Sequence, residues 1–237
     1  MKDNKPKFRH ELKYLINQCD REIIVQRMKS ILSMDEHAIG GEYNVRSLYF
    51  DDYWDAAYLD KVNGFSGRRK YRIRTYNLDK NIIKLECKLK KDSYINKTVA
   101  TLTLEEFDKI INNDFGFLLK REEDLCKQFY YECTSRIIRP RIIVDYEREP
   151  YILEAGEVRV TFDKNVRAIS PWFDFFDDNI ASQYVLDSGK LVMEVKFTEF
   201  LPEIVKDALG GQRVEMSAVS KYTLCSGKMN YLTAKLY

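Results

Sequence analysis

Apolar and polar positions alternate with a period of two, or β-branched residues are enriched, along several stretches of the chain, the mark of strands. These stretches are Phe8–Ile16, Val45–Asp51, Arg69–Tyr76, Ile82–Lys90, Arg141–Arg148, Val158–Phe162 and Leu191–Thr198. Helices are expected near Cys19–Ser33, with Asp20 close to its start, and near Leu104–Asn112. Thr103 followed by Glu106 reads as a capping box for the second of these. A third helix is expected after Pro202 and a fourth from about Ser220 onward, with Gly210-Gly211 separating them. Strands dominate and no Gly-rich phosphate-binding turn follows any of them. The pattern therefore favours a largely antiparallel sheet or barrel over a doubly wound fold.

Charge is sorted by strand face. Side chains two apart share a face, so Arg68, Lys70, Arg72 and Arg74 stand together, as do Lys84, Glu86, Lys88 and Lys90. Arg9, Glu11 and Lys13 align near the start, and Glu194 and Lys196 near the end. The arrangement Glu-x-Lys recurs as Glu11–Lys13, Glu86–Lys88 and Glu194–Lys196. One reading is a half-exposed sheet with its charged side in water. The other is a set of cations gathered on a polyanion, because Arg and Lys on adjacent strands repel unless something neutralises them. Arg offers a fork that matches phosphate oxygens and Lys a compact point charge. Glu among them is a hard oxygen ligand for Mg²⁺ or Mn²⁺.

Composition narrows the choice. The 237 residues are 45% hydrophobic and 32% charged, with a net charge of only +2. That fits a globular protein without the basic excess of a nonspecific nucleic-acid binder. Cys19, Cys87, Cys126, Cys133 and Cys225 are scattered and form no C-x-x-C pair, which points to reduced thiols and a cytoplasmic setting rather than zinc or disulfides. No apolar run reaches membrane-spanning length, and Met1–Lys7 lacks a signal-peptide core. With no linker or repeat, a single domain over residues 1–237 is expected. There is no Walker A sequence and no Ser/His/Asp set. His10 and His37 are read as surface side chains. The stretch holding Asp174, Asp177 and Asp178 among Trp172, Phe173, Phe175 and Phe176 is read as an acidic loop anchored by its aromatics.

The segments Arg9-His10-Glu11-Leu12-Lys13-Tyr14, Val45-Arg46-Ser47-Leu48-Tyr49-Phe50-Asp51 and Lys70-Tyr71-Arg72-Ile73-Arg74-x-Tyr76 come in a telling order. Lys84-Leu85-Glu86-Cys87-Lys88, Tyr146-Glu147-Arg148, Arg159-Val160-Thr161-Phe162-Asp163, Met193-Glu194-Val195-Lys196 and Ser220-Lys221-Tyr222 continue it. In this order the chain resembles the triphosphate tunnel metalloenzyme superfamily and, within it, the VTC domain. The resemblance implies an α+β fold, an antiparallel eight-stranded β-tunnel flanked by helices. It also implies a phosphotransferase that moves the γ-phosphate of ATP onto polyphosphate with Mn²⁺ or Mg²⁺. Arg72, Arg74, Lys88, Lys196 and Lys221 are implied as catalytic. Arg9, Lys13, Arg46, Lys70, Arg148 and Arg159 are implied as substrate-binding, and Glu194, Glu11 and Glu86 as metal ligands. Arg9 replaces the first Glu of the superfamily's Glu-x-Glu-x-Lys, which favours a polymerase over a triphosphatase. Ala218 stands where the family has a lysine, so a binding-only sensor and a hydrolase stay open. The implied partners are ATP, polyphosphate and a separately encoded membrane protein, with no nucleic acid and no membrane insertion by this chain.

Overall fold

The structure, a computed structural model, describes residues 10–91, 94–210 and 216–234. In chain order the elements are β1 (His10–Asn17), α1 (Gln18–Met28), β2 (Ser33–Met34), β3 (Tyr43–Asp51), α2 (Ala56–Val62), β4 (Arg68–Tyr76), β5 (Ile83–Lys91) and β6 (Tyr94–Leu102). There follow α3 (Leu104–Ile111), α4 (Asp124–Ser135), β7 (Arg139–Leu153), β8 (Val158–Ile169), β9 (Gln183–Tyr184), β10 (Lys190–Phe197), α5 (Glu203–Ala208) and α6 (Lys221–Ala234). Eight strands form one path in the order β1-β10-β8-β7-β3-β4-β5-β6, with β2 on β7 and β9 on β8. The fold is thus the expected α+β class, an antiparallel eight-strand sheet flanked by helices. No helix among the described residues is long and apolar enough to cross a membrane.

The chain forms two compact units. The first comprises residues 1–44, 146–166 and 184–220, the second 45–145, 167–183 and 221–237. In the first, Ile16, Val158, Val160, Phe162, Leu191, Met193 and Val195 pack against Ile24 and Met28 of α1 and Val205 and Ala208 of α5. In the second, Leu48, Phe50, Tyr71, Ile73, Leu85, Ala100 and Leu102 pack against Phe107 and Ile110 of α3 and Leu125, Phe129 and Cys133 of α4. These apolar faces fix the register. A one-residue slip would turn every side chain over, and each displaced Leu, Ile or Phe would forfeit about 1.5–3 kcal/mol of burial.

Local chemistry sets the helix starts. Asn17 caps α1 by accepting from the Asp20 amide at 2.8 Å, while the Asp20 carboxylate takes the Asn17 amide at 3.1 Å. Thr103 and Glu106 make the expected reciprocal pair at α3, at 3.1 and 3.0 Å. The turn between β7 and β8 needs Gly156, whose φ is +75° and where a Cβ would meet the Phe200 carbonyl oxygen at 3.1 Å. The Gly156 carbonyl accepts from the Thr198 amide at 3.1 Å and so holds the chain just past β10. Gly211 of the expected Gly-Gly break lies outside the described residues.

Candidate functional site

In the first unit the face opposite the core is charged. Antiparallel pairing sets Glu11 across from Lys196 and Lys13 across from Glu194, and it sets Glu194 and Lys196 across from Thr161 and Arg159. The two lysines and two glutamates form a tetrad. Lys13 Nζ lies 3.9 Å from Glu11 and 3.4 Å from Glu194, and Lys196 Nζ 3.6 and 3.3 Å from the same two. Burial pushes the Lys196 ammonium below its ordinary pKa; the two glutamates raise it, and Arg148 and Lys13 lower it further. Arg148 is buried on the same face and donates to both Asp163 oxygens, at 2.7 and 2.8 Å. Arg159 reaches the Tyr43 hydroxyl at 2.9 Å and Asp35 at 2.7 Å. Asp35 in turn accepts from the His37 amide at 3.0 Å and contacts its ring nitrogen Nδ1 at 2.9 Å.

The residues here suit a divalent metal in modest number. Glu11 and Glu194 supply hard oxygens, and directly across from Glu194 the Thr161 hydroxyl is buried without a hydrogen-bond partner. Mg²⁺ and Mn²⁺ retain water and share phosphate oxygens, so two carboxylates suffice. Among the described residues no group of three or more His, Cys, Asp or Glu side chains could hold a metal by itself.

In the second unit the charged face is a ladder across β3, β4, β5 and β6. Lys70 pairs with Lys88 and Lys88 with Lys97, so three lysines stand in line on adjacent strands. In the next row Tyr49 faces Arg72 and Arg72 faces Glu86; in the one beyond, Ser47 faces Arg74 and Arg74 faces Lys84. Arg72 donates to Glu86 at 2.7 Å and to the Tyr49 hydroxyl at 2.8 Å, and Arg74 donates to Ser47 at 2.9 Å. Glu86 also accepts from Lys97 at 2.7 Å. Burial would raise the Glu86 carboxyl, but Arg72, Arg74 and Lys97 outweigh it and hold the group well below the usual range. The Tyr49 phenol is lowered in the same way, with Arg72, Arg74 and Lys221 overcoming its burial. Lys221, at the start of α6, is buried beside this face.

The structure thus gathers most residues singled out in the sequence. Glu11, Lys13, Arg148, Arg159, Glu194 and Lys196 share one charged face, and Lys70, Arg72, Arg74, Glu86, Lys88 and Lys221 belong to the other. Arg46 departs from them. It pairs with Thr75 on the core side of β3, where it donates to Asp145 at 2.7 Å and to the Phe175 and Asp177 carbonyls. Period two forbids Arg46 and Ser47 from sharing a face, and Ser47 is the one across from Arg74. Glu86 differs too, since both its oxygens accept close hydrogen bonds from cations, at 2.7 Å from Arg72 and 2.7 Å from Lys97. Acid lies among the cations, with Glu86 and Asp163 within hydrogen-bond reach of Arg72 and Arg148. Arg9 lies outside the described residues. Lys97 and Tyr49 were not singled out. Lys97 was hidden because β6 was not read as a strand; the alternation of Lys97, Val99 and Thr101 with Thr98, Ala100 and Leu102 was the available signal.

No curated protein matches the chain. Among solved structures, the PH1012 protein of Pyrococcus horikoshii OT3 is 13% identical over 91% of this chain and 98% of its own, with a TM-score of 0.51, a likeness of fold alone. The PH1819 protein of the same organism is 16% identical over 93% of this chain and 99% of its own, with a TM-score of 0.48. A candidate adenylate cyclase from Bacillus halodurans is 13% identical over 86% and 87%, with a TM-score of 0.49. The family model described as the VTC domain matches residues 8–230. The chain belongs to the VTC domain family.

Proposed function

We propose that the chain is an ATP-dependent polyphosphate polymerase. The observation that carries the reading is the row Lys70–Lys88–Lys97 beside Arg72 and Arg74. Like charges directly across adjacent strands are destabilising, and a run of phosphates relieves that repulsion at several positions at once. Membership of a family of phosphate-handling domains supports the same conclusion.

In the reaction, an ionised terminal oxygen of the polyphosphate acceptor attacks the γ-phosphorus of ATP. The new P–O bond forms as the bond from the γ-phosphorus to the β,γ-bridging oxygen breaks, and ADP leaves with that electron pair. The attacking oxygen carries no proton, so no general base is needed. The protein's work is positioning and charge stabilisation. In the second unit Arg72, Arg74, Lys70 and Lys88 bind phosphate oxygens, joined by Lys97, and Lys221 stands beside them. In the first, Lys13, Lys196, Arg148 and Arg159 do so. Glu194 and Glu11 would hold Mn²⁺ or Mg²⁺, which when bound neutralises phosphate oxygens. The proposal extends to a cytoplasmic setting, on the strength of five free cysteines. It also extends to a separately encoded membrane protein that takes the product.

Purified protein given ATP and Mn²⁺ should yield polyphosphate signals in phosphorus NMR. Lys196→Ala in the first unit and Arg74→Ala in the second should each abolish them. Release of ADP and free phosphate alone would make the chain a hydrolase instead. A binding-only sensor is favoured by one observation, the alanine at position 218. Tight polyphosphate binding without turnover under any metal would establish it.

A further inference from the structure

Tyr222 does more in the second unit than fill the start of α6. Its ring lies 4.9 Å from the Tyr49 ring, at an interplanar angle of 30°. The Lys70 ammonium sits over the Tyr222 ring, 4.4 Å from its centroid. The Tyr222 hydroxyl donates to Asp51 Oδ2. That same Asp51 carboxylate accepts from the amides of Ala57 at 2.9 Å and Tyr58 at 3.0 Å, so it also caps α2. Tyr222 is 2% exposed. One side chain therefore touches a ladder lysine directly, a ladder arginine through Tyr49 and its 2.8 Å bond from Arg72, and the capped end of α2 through its hydroxyl.

We propose that Tyr222 is a positioning residue for phosphate binding: its ring seats the Lys70 ammonium and props Tyr49 against Arg72, while its hydroxyl only locks α6 in place. The two halves of the side chain thus have separable tasks. The ring sets where two cations of the ladder stand before an anion arrives. Without it Lys70 keeps its charge but regains the rotamer freedom of a long flexible stem, which a bound phosphate must then remove again. A cation held over a desolvated aromatic face is worth about a tenfold change in an equilibrium constant. The hydroxyl contributes to stability through its bond to the buried Asp51 carboxylate.

The inference rests on the polyphosphate reading for its ligand, so the test reads binding separately from turnover. Inorganic tripolyphosphate is titrated calorimetrically into the whole chain, and thermal unfolding is followed for each variant. Tyr222→Leu removes ring and hydroxyl and should weaken tripolyphosphate about tenfold. With ATP it should raise KM by a similar factor and change kcat much less. Tyr222→Phe keeps the ring, and it should lower the melting temperature as Tyr222→Leu does while recovering most of the lost affinity. A purely structural Tyr222 would make affinity follow stability, with Phe and Leu variants equally impaired; that result overturns the proposal. So does a Leu variant that binds tripolyphosphate like the wild type. If the wild type binds tripolyphosphate but makes no polymer, the polymerase reading fails while the binding comparison still decides the role of Tyr222.

Discussion

Glu86 is the carboxylate on which the second unit's ladder is balanced. It is 1% exposed and takes Arg72 on one oxygen and Lys97 on the other. Replacing it with Gln leaves the partly buried Arg72 without its counter-charge, a change that costs about 1–3 kcal/mol. Lys97 is nearly half exposed and adds less. The Glu86→Gln chain should therefore unfold at clearly lower denaturant than wild type in plain buffer. Added tripolyphosphate should recover part of the loss, because an anion takes over the neutralising task. A loss that tripolyphosphate leaves untouched would separate Glu86 from the anion site. The pH dependence has a definite sign. The folded carboxyl titrates below its ordinary value of 4.5, so its contribution is complete above that value and drains away as acid protonates it below. The wild-type acid limb of stability should flatten in the Gln variant.

At the scale of elements, α3 offers the cleanest test because its start is fixed by two side chains on the surface. Thr103→Ala removes the acceptor for the Glu106 amide. It should cost about 1 kcal/mol, a fall of about 2–4 °C in melting temperature for a chain of this size. Thr103→Ser should retain most of it. This capping box was legible in the sequence because it depends on residues three apart. The strands with long alternations were legible for the same reason: Arg68–Tyr76 and Ile83–Lys91 each declare two faces locally. What the sequence hid depends on partners far along the chain. β6 carries Thr98 and Ala100 on its core side, small residues that earn a strand only by pairing with Cys87 and Leu85. Helix α4 is rich in Tyr, Phe, Cys and Thr, residues of middling helix propensity, and it is helical because Leu125, Cys126, Phe129 and Cys133 share one buried side. Arg46 misled because its motif is made of neighbours, whereas its face is decided by Leu48 and Phe50 lying against Ile73 and Tyr71.

For the molecule as a whole, charge is a matter of placement rather than amount. The net charge is +2, and much of the cationic set is already answered by carboxylates, as in Arg148 with Asp163 and Arg46 with Asp145. Duplex DNA binds through many accessible cations and the counterions they release, and Arg46 and Arg148 are both buried. Short phosphate chains make different demands, because a few closely set lysines and arginines outweigh the average. A ligand that binds only the folded state stabilises it by about 2.7 kcal/mol when present at 100 times its Kd. Tripolyphosphate should accordingly raise the melting temperature by several degrees, and by less as salt shortens the reach of the partly exposed lysines. Duplex DNA at equal phosphate concentration should leave it where it was. Equal stabilisation by both would mean that the ladder presents an open basic surface, and the assignment to short phosphate chains would then have to be abandoned for a general polyanion binder.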